Sequence, residues 1–152
     1  MVPDREFFTD ALTEVRAELV RVDTKASTLL TLAGTALTVG LAVLARAGLP
    51  GPALATGCVT VALIGAAVAL LAGAVRPALG GNHGFVLYAV TAPGDLVTDG
   101  ADMDTPAALS ERLVWLSRAV LAKYRRVRTA VDLLLAGLAG TALTALLVLL
   151  LG

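Results

Sequence analysis

Ala26 to Ala45 reads ASTLLTLAGTALTVGLAVLA, twenty positions without a charge. A helix of about 20 residues rises about 30 Å, the thickness of a bilayer's hydrocarbon core. A helix in water needs a polar face, and this one has only small residues and threonines, so lipid is the solvent it fits. The charges stand outside it: Arg21, Asp23 and Lys25 before, Arg46 after. Because acids and bases alternate upstream, the run lacks the short basic leader and cleavage site of a removable signal and reads as an anchor that stays.

Two further runs repeat the pattern. Ala47 to Val75 is uncharged, but Gly48-Leu49-Pro50-Gly51-Pro52 interrupts its start, so its helical part begins near Pro52, a residue tolerated in a first turn. Leu133 to Leu151 is the third. With 57% hydrophobic residues and mean hydropathy +0.84, the chain has too little polar sequence to cover three such helices in water. The fold expected is an all-α integral membrane protein with three transmembrane helices, two of them continued as long cytoplasmic helices. The expected divisions are a cytoplasmic amphipathic helix over 1–25, spans over 26–46, 52–75 and 130–151, and an outer turn over 47–51. A cytoplasmic loop and helix fill 76–129, the helix from about 106.

Orientation follows from lysine and arginine near the membrane ends. Arg16, Arg21, Lys25, Arg76, Arg118, Lys123, Arg125, Arg126 and Arg128 fall on one side and Arg46 on the other. The crowded side is read as the cytoplasm, with the N-terminus inside and the C-terminus outside an inner membrane.

The flanking segments are amphipathic. Phe8, Leu12, Val15, Leu19 and Val22 step by 4, 3, 4, 3 and continue through Ala26, Leu29 and Ala33. Leu109, Leu113, Leu116, Val120, Tyr124, Val127 and Val131 form a similar stripe after Thr105-Pro106, a cap followed by a first-turn proline. These stripes can pack on each other within one chain or on copies in neighbouring subunits. Between them lie Gly80-Gly81-Asn82-His83-Gly84, an apolar piece from Phe85 to Val90 that can form a short strand or interfacial segment, and Asp95, Asp99, Asp102 and Asp104. One histidine and one cysteine, Cys58, give no metal-ligand pattern, and the aspartates do not match a calcium loop.

The polar features that can carry function cluster at the membrane entrance. Arg21, Asp23 and Lys25 on the first helix meet Lys123, Tyr124 and Arg128 at the same depth on the third, with Arg76 at the end of the second. Several cations converging on one level suit an anion or nucleotide, with aspartate and tyrosine orienting it. The same charges can instead set topology and bind headgroups. Asp23 has Lys123 or Arg128 as an expected partner, because a carboxylate at the edge of hydrocarbon needs one. Arg128 and Asp132, one turn apart, can pair as well. Within the membrane, Thr28, Thr31, Thr35 and Thr38 continue a threonine stripe from Thr24. Gly65 and Gly73 in the second helix and Gly140 in the third mark small faces. These residues suit close helix packing or a polar pore seam. No hydrolase, metalloprotease, P-loop or dinucleotide motif is present, so no enzyme, cofactor or nucleic-acid partner is expected.

The segment VRVDTKASTLLTLAGTAL, Arg76-Pro77 ending the second helix, Leu87-Tyr88, and SRAVLAKYRRVRTAVDLLL together resemble the Pycsar effector family of bacterial antiphage membrane proteins. Asp23-Thr24-Lys25-Ala26 and Lys123-Tyr124-Arg125 are the most specific parts of the likeness. The resemblance implies a partner cyclase that makes cyclic UMP or cyclic CMP on infection. It implies an effector that responds by impairing the inner membrane, stopping or killing the cell before phage mature. A homo-oligomer in the lipid bilayer fits this role. A non-enzymatic adaptor that recruits a cytoplasmic partner in plasmid transfer or envelope assembly is the alternative, and neighbouring genes would separate the two.

Overall fold

The computed structural model describes residues 5–45, 48–76 and 105–151. The readings made above for Arg46 and for residues 77–104 lie outside them, including the glycine cluster, His83, the Phe85–Val90 piece and the four aspartates. Three helices account for almost all described residues: α1 (Arg5–Leu44), α2 (Gly51–Val75) and α3 (Pro106–Leu151). All three contain stretches long and apolar enough to cross a membrane, and no strand occurs among the described residues.

Each helix end has a local cause. Gly48 takes φ 102°, a left-handed conformation open to glycine, which lets the chain turn after α1. Pro50 then caps α2, and the Leu54 N–H donates to its carbonyl at 2.9 Å. The helix thus starts at Gly51, one residue before the proline the sequence marked, and Pro52 sits in the first turn where its missing N–H costs nothing. At the other end Arg76 leaves the helix with ψ 129°. The Pro77 that follows it in sequence disfavours helical geometry at its predecessor. α3 opens on Thr105, whose Oγ1 accepts from the Ala108 N–H at 3.3 Å, with Pro106 as first helical residue.

The contacts divide the chain into two units. The first takes Met1–Val22 and Pro77–Ala122. Its core joins the two predicted stripes within one chain: Phe8, Leu12 and Leu109 are buried, with Leu113 and Leu116 packed against them. Phe7 and Phe8 meet edge to face, their centroids 5.5 Å apart.

The second unit takes Asp23–Arg76 and Lys123–Gly152 and holds all of α2. From Asp23 to Leu44 α1 rises about 33 Å, and α2 rises about 38 Å, enough to cross a hydrocarbon core. Ala26, Ala33, Ala67, Leu71 and Ala130 form one buried cluster, and alanine at each helix lets the backbones approach closely. Further along, Gly137 lies against Ile64, and Gly140 against Thr60. These pairings run α1 and α3 in one direction and α2 in the other. α2 is the helix most enclosed, with 28% of its apolar window buried against 6% in each of the others.

The buried seam of α1 follows the predicted stripe: Val22, Ala26 and Ala33 are almost wholly covered. On α3 the seam departs from the prediction at two positions, the first being Ala130, which is wholly buried where the stripe places Val131. At the second, Tyr124 is 37% exposed, and Lys123 takes the inward place with a side chain 18% exposed. The seam then passes through Val120, Lys123, Val127, Ala130 and Leu134, a regular 3, 4, 3, 4 progression. Choosing tyrosine as the apolar residue breaks that rhythm. A lysine keeps it because its methylene stem packs while its ammonium finds a partner.

Candidate functional site at the charged rim

In the second unit the charges of the described residues lie at one end of the bundle. Asp23 and Lys25 begin α1's contribution, Arg76 follows α2, and Lys123, Arg125, Arg126 and Arg128 begin α3's, with Asp132 one turn further into the apolar body. Six cations face two carboxylates, an excess of positive charge at the entrance to an apolar body.

An ion pair between helices stands at this rim. The Lys123 Nζ donates to Asp23 Oδ1 at 2.6 Å, and the side chains are 18% and 38% exposed. Of the two partners expected for Asp23, the structure selects Lys123, the residue on the buried seam. The pair joins α1 to α3 directly above the Ala26 and Ala130 contact, where the flanking backbones already lie close. Half-burial makes this bond stronger than a surface pair and leaves its carboxylate within reach of solvent.

The other candidates are not gathered into a closed pocket. Lys25, Arg76 and Arg128 are exposed, as is Tyr124. Arg21 belongs to the first unit, where its guanidinium donates to Glu18 Oε2 at 2.7 Å within α1. Arg128 and Asp132 do not form the ion pair their spacing allows, unlike Arg21–Glu18 and Lys123–Asp23. The rim is therefore a ring of exposed cations around one latched pair. Chemically it attracts anions.

The threonine stripe lies outside the core. Thr28, Thr31, Thr35 and Thr38 are all exposed. Each hydroxyl donates to a carbonyl four residues back, at 3.0, 3.1, 3.0 and 3.0 Å. That bond satisfies the donor inside the helix and leaves oxygen lone pairs facing outward. The stripe thus takes no part in packing the single chain. The glycines differ from one another: a Cβ on Gly73 meets nothing within 4 Å, one on Gly65 meets Leu37 at 3.9 Å, and one on Gly140 collides with the Thr60 hydroxyl. Sequence reading missed Gly137, where a Cβ would stand 2.8 Å from Ile64 Cγ1. Its signal was its place on the α3 seam, one turn from Gly140. It also missed the hydroxyl bridge from Thr144 to Thr56, 3.1 Å across α3 and α2.

Away from the rim, the three helices border an apolar groove of about 690 Å³, lined by Gly40, Val61, Leu138 and Ala145. Its few hydroxyls, including Thr60 and Thr141, donate to their own helices.

Comparison with known proteins identifies a family. The family description "Pycsar effector protein domain" fits residues 7–152, nearly the whole chain. No curated protein and no solved structure matches. With α2, α3, nearly all of α1 and the whole rim inside the matched region, the chain belongs to the Pycsar effector family, antiphage transmembrane effectors.

Proposed function

We propose that this chain impairs the inner membrane of an infected cell when a partner cyclase makes cyclic UMP or cyclic CMP. The observation that carries the reading is the coincidence, in one family-matched stretch, of three bilayer-length helices and a cationic rim at one end. The rim lies on the cytoplasmic side by the excess of lysine and arginine there, so a soluble cyclic nucleotide reaches it. The single phosphate anion of such a ligand is attracted to Lys25, Arg76, Lys123 and the arginines of α3. Binding shifts a closed population to a membrane-damaging one only through tighter binding to the latter. The protein works without catalysis, cofactor or nucleic acid, as copies assembled in lipid. The poorly buried windows of α1 and α3 leave surface for that assembly, and the outward oxygens of the threonine stripe can line a wet seam.

Reconstitution tests the reading. Purified protein in dye-loaded vesicles is exposed to cyclic UMP, cyclic CMP or cyclic AMP. Dye release with a cyclic pyrimidine nucleotide, reduced at least tenfold by Lys25→Gln with Arg76→Gln, is the expected result. Intact vesicles with both pyrimidine nucleotides at saturating concentration would refute it.

A further inference from the structure

The outward face of α3 carries a feature that neither lipid nor the chain's own core accommodates. Asp132 is exposed, on the side of the helix opposite Lys123 and the buried seam. It nevertheless lies within the apolar zone. Ala130 shares a buried cluster with Leu71, and α2 continues from Leu71 for four more uncharged residues toward the rim. Asp132 sits about 3 Å beyond Ala130, away from the rim. A carboxylate turned outward at that level meets hydrocarbon unless something polar covers it, and such residues characteristically face a helix bundle rather than lipid.

The surroundings of Asp132 indicate what covers it. Arg125 and Arg128 lie on the same face toward the rim, and Ala139, Leu146 and Leu150 continue it away from the rim. The steps are 3, 4, 7, 7, 4, the spacing of a helix-packing stripe. Leu146 and Leu150 are 51% and 70% exposed, and Ala139 supplies a small position where another backbone can approach. The face is thus complementary to itself: cations and an anion one turn apart near the rim, a small residue in the middle, leucines beyond.

We infer that this face of α3 is the contact between copies of the chain in the membrane. Copies in one bilayer share an orientation, so two α3 helices meet in parallel with Arg128 and Asp132 at matching depths. Each Asp132 then lies within an arginine's reach of both its own Arg128 and the partner's, and the four charges form a neutral network. The occupant is a second copy rather than a lipid headgroup. A headgroup phosphate adds negative charge beside Asp132, whereas the copy brings the cation that neutralises it. This deepens the proposed function, which requires assembly without naming the face.

Disulfide trapping in native membranes tests the assignment, with Cys58→Ser as background so that the introduced thiol is unique. Ala139→Cys should cross-link to dimer on mild oxidation, while Thr35→Cys on the threonine face of α1 should give at least tenfold less. Asp132→Asn and Asp132→Arg, each combined with Ala139→Cys, should lower the dimer yield several-fold. Arg128→Asp with Asp132→Arg, which restores both charges in exchanged places, should return it. Circular dichroism and membrane extraction establish that each variant is folded and inserted. Cross-linking at Thr35 in place of Ala139, no cross-linking at either, or a yield indifferent to Asp132 overturns the assignment. Vesicle leakage separates the two readings: trapping at Ala139 without nucleotide-induced leakage leaves the interface standing and removes the effector mechanism, whereas leakage without trapping does the reverse.

Discussion

Substituting Gly140 by alanine puts the α2–α3 contact under the most direct strain. The added methyl would occupy the position of the Thr60 hydroxyl and stand 3.4 Å from Thr60 Cβ. Thr60 has little room to yield, being 6% exposed with its hydroxyl donating to the Thr56 carbonyl at 2.9 Å. Two effects compete. Alanine is the better helix former by about 0.5–1 kcal/mol, and overpacking a filled contact costs about 1–3 kcal/mol. Gly73 supplies the internal control, because its Cβ would meet nothing, so Gly73→Ala reports the backbone gain alone. The difference between the two variants isolates the clash, about 1–3 kcal/mol against Gly140→Ala. Thr60→Ala removes the obstructing hydroxyl and loses only a bond to the carbonyl of its own helix. Combined with Gly140→Ala it should recover most of the loss, giving a coupling of at least about 1 kcal/mol. Reversible unfolding in bicelles, followed by far-ultraviolet circular dichroism against increasing dodecyl sulfate, measures all four. Equal stability of Gly140→Ala and Gly73→Ala, or strict additivity in the double variant, would refute the packing of α2 on α3 described above.

Two other perturbations probe the remaining contacts. Leu12→Ala removes a side chain 4% exposed in the first unit's core and should cost about 2–3 kcal/mol, seen as faster amide exchange over residues 5–22 with α2 unchanged. Uniform exchange before and after the substitution would mean that this small core is not formed in solution. Asp23→Asn leaves Lys123 without its counter-ion and should destabilise the protein by about 1 kcal/mol, with the Asp23→Lys, Lys123→Asp exchange restoring most of it. Failure of the exchanged pair to recover stability would show that the bond is incidental.

Much of this architecture is legible in the residue order. Charge-free length marks the three helices that are long and apolar enough to cross a membrane. The α1 stripe from Phe8 to Ala33 marks the buried face through spacing alone, and Asp23 demands the partner it has in Lys123. What the order hides is which of two adjacent residues points inward. Tyr124 is the more apolar by composition, yet Lys123 holds the seam, since a long side chain can bury its stem and bond at its tip. Small residues were equally ambiguous. Gly73 and Gly140 look alike in sequence and differ in structure, because what matters is the opposing side chain on another helix. Each hydroxyl of the threonine stripe bonds its own backbone four residues back, and this bond says nothing of what lies outside.

The central claim is that a nucleotide signal turns this membrane protein against the membrane holding it. Membrane potential recorded in growing bacteria tests it most directly, with the effector produced alone, beside a pyrimidine cyclase, and beside that cyclase carrying an inactivating substitution. Collapse of the potential within minutes in the second culture, with the first and third unaffected, is the result expected. A potential that holds while intracellular cyclic UMP or cyclic CMP rises to saturating levels would contradict the account.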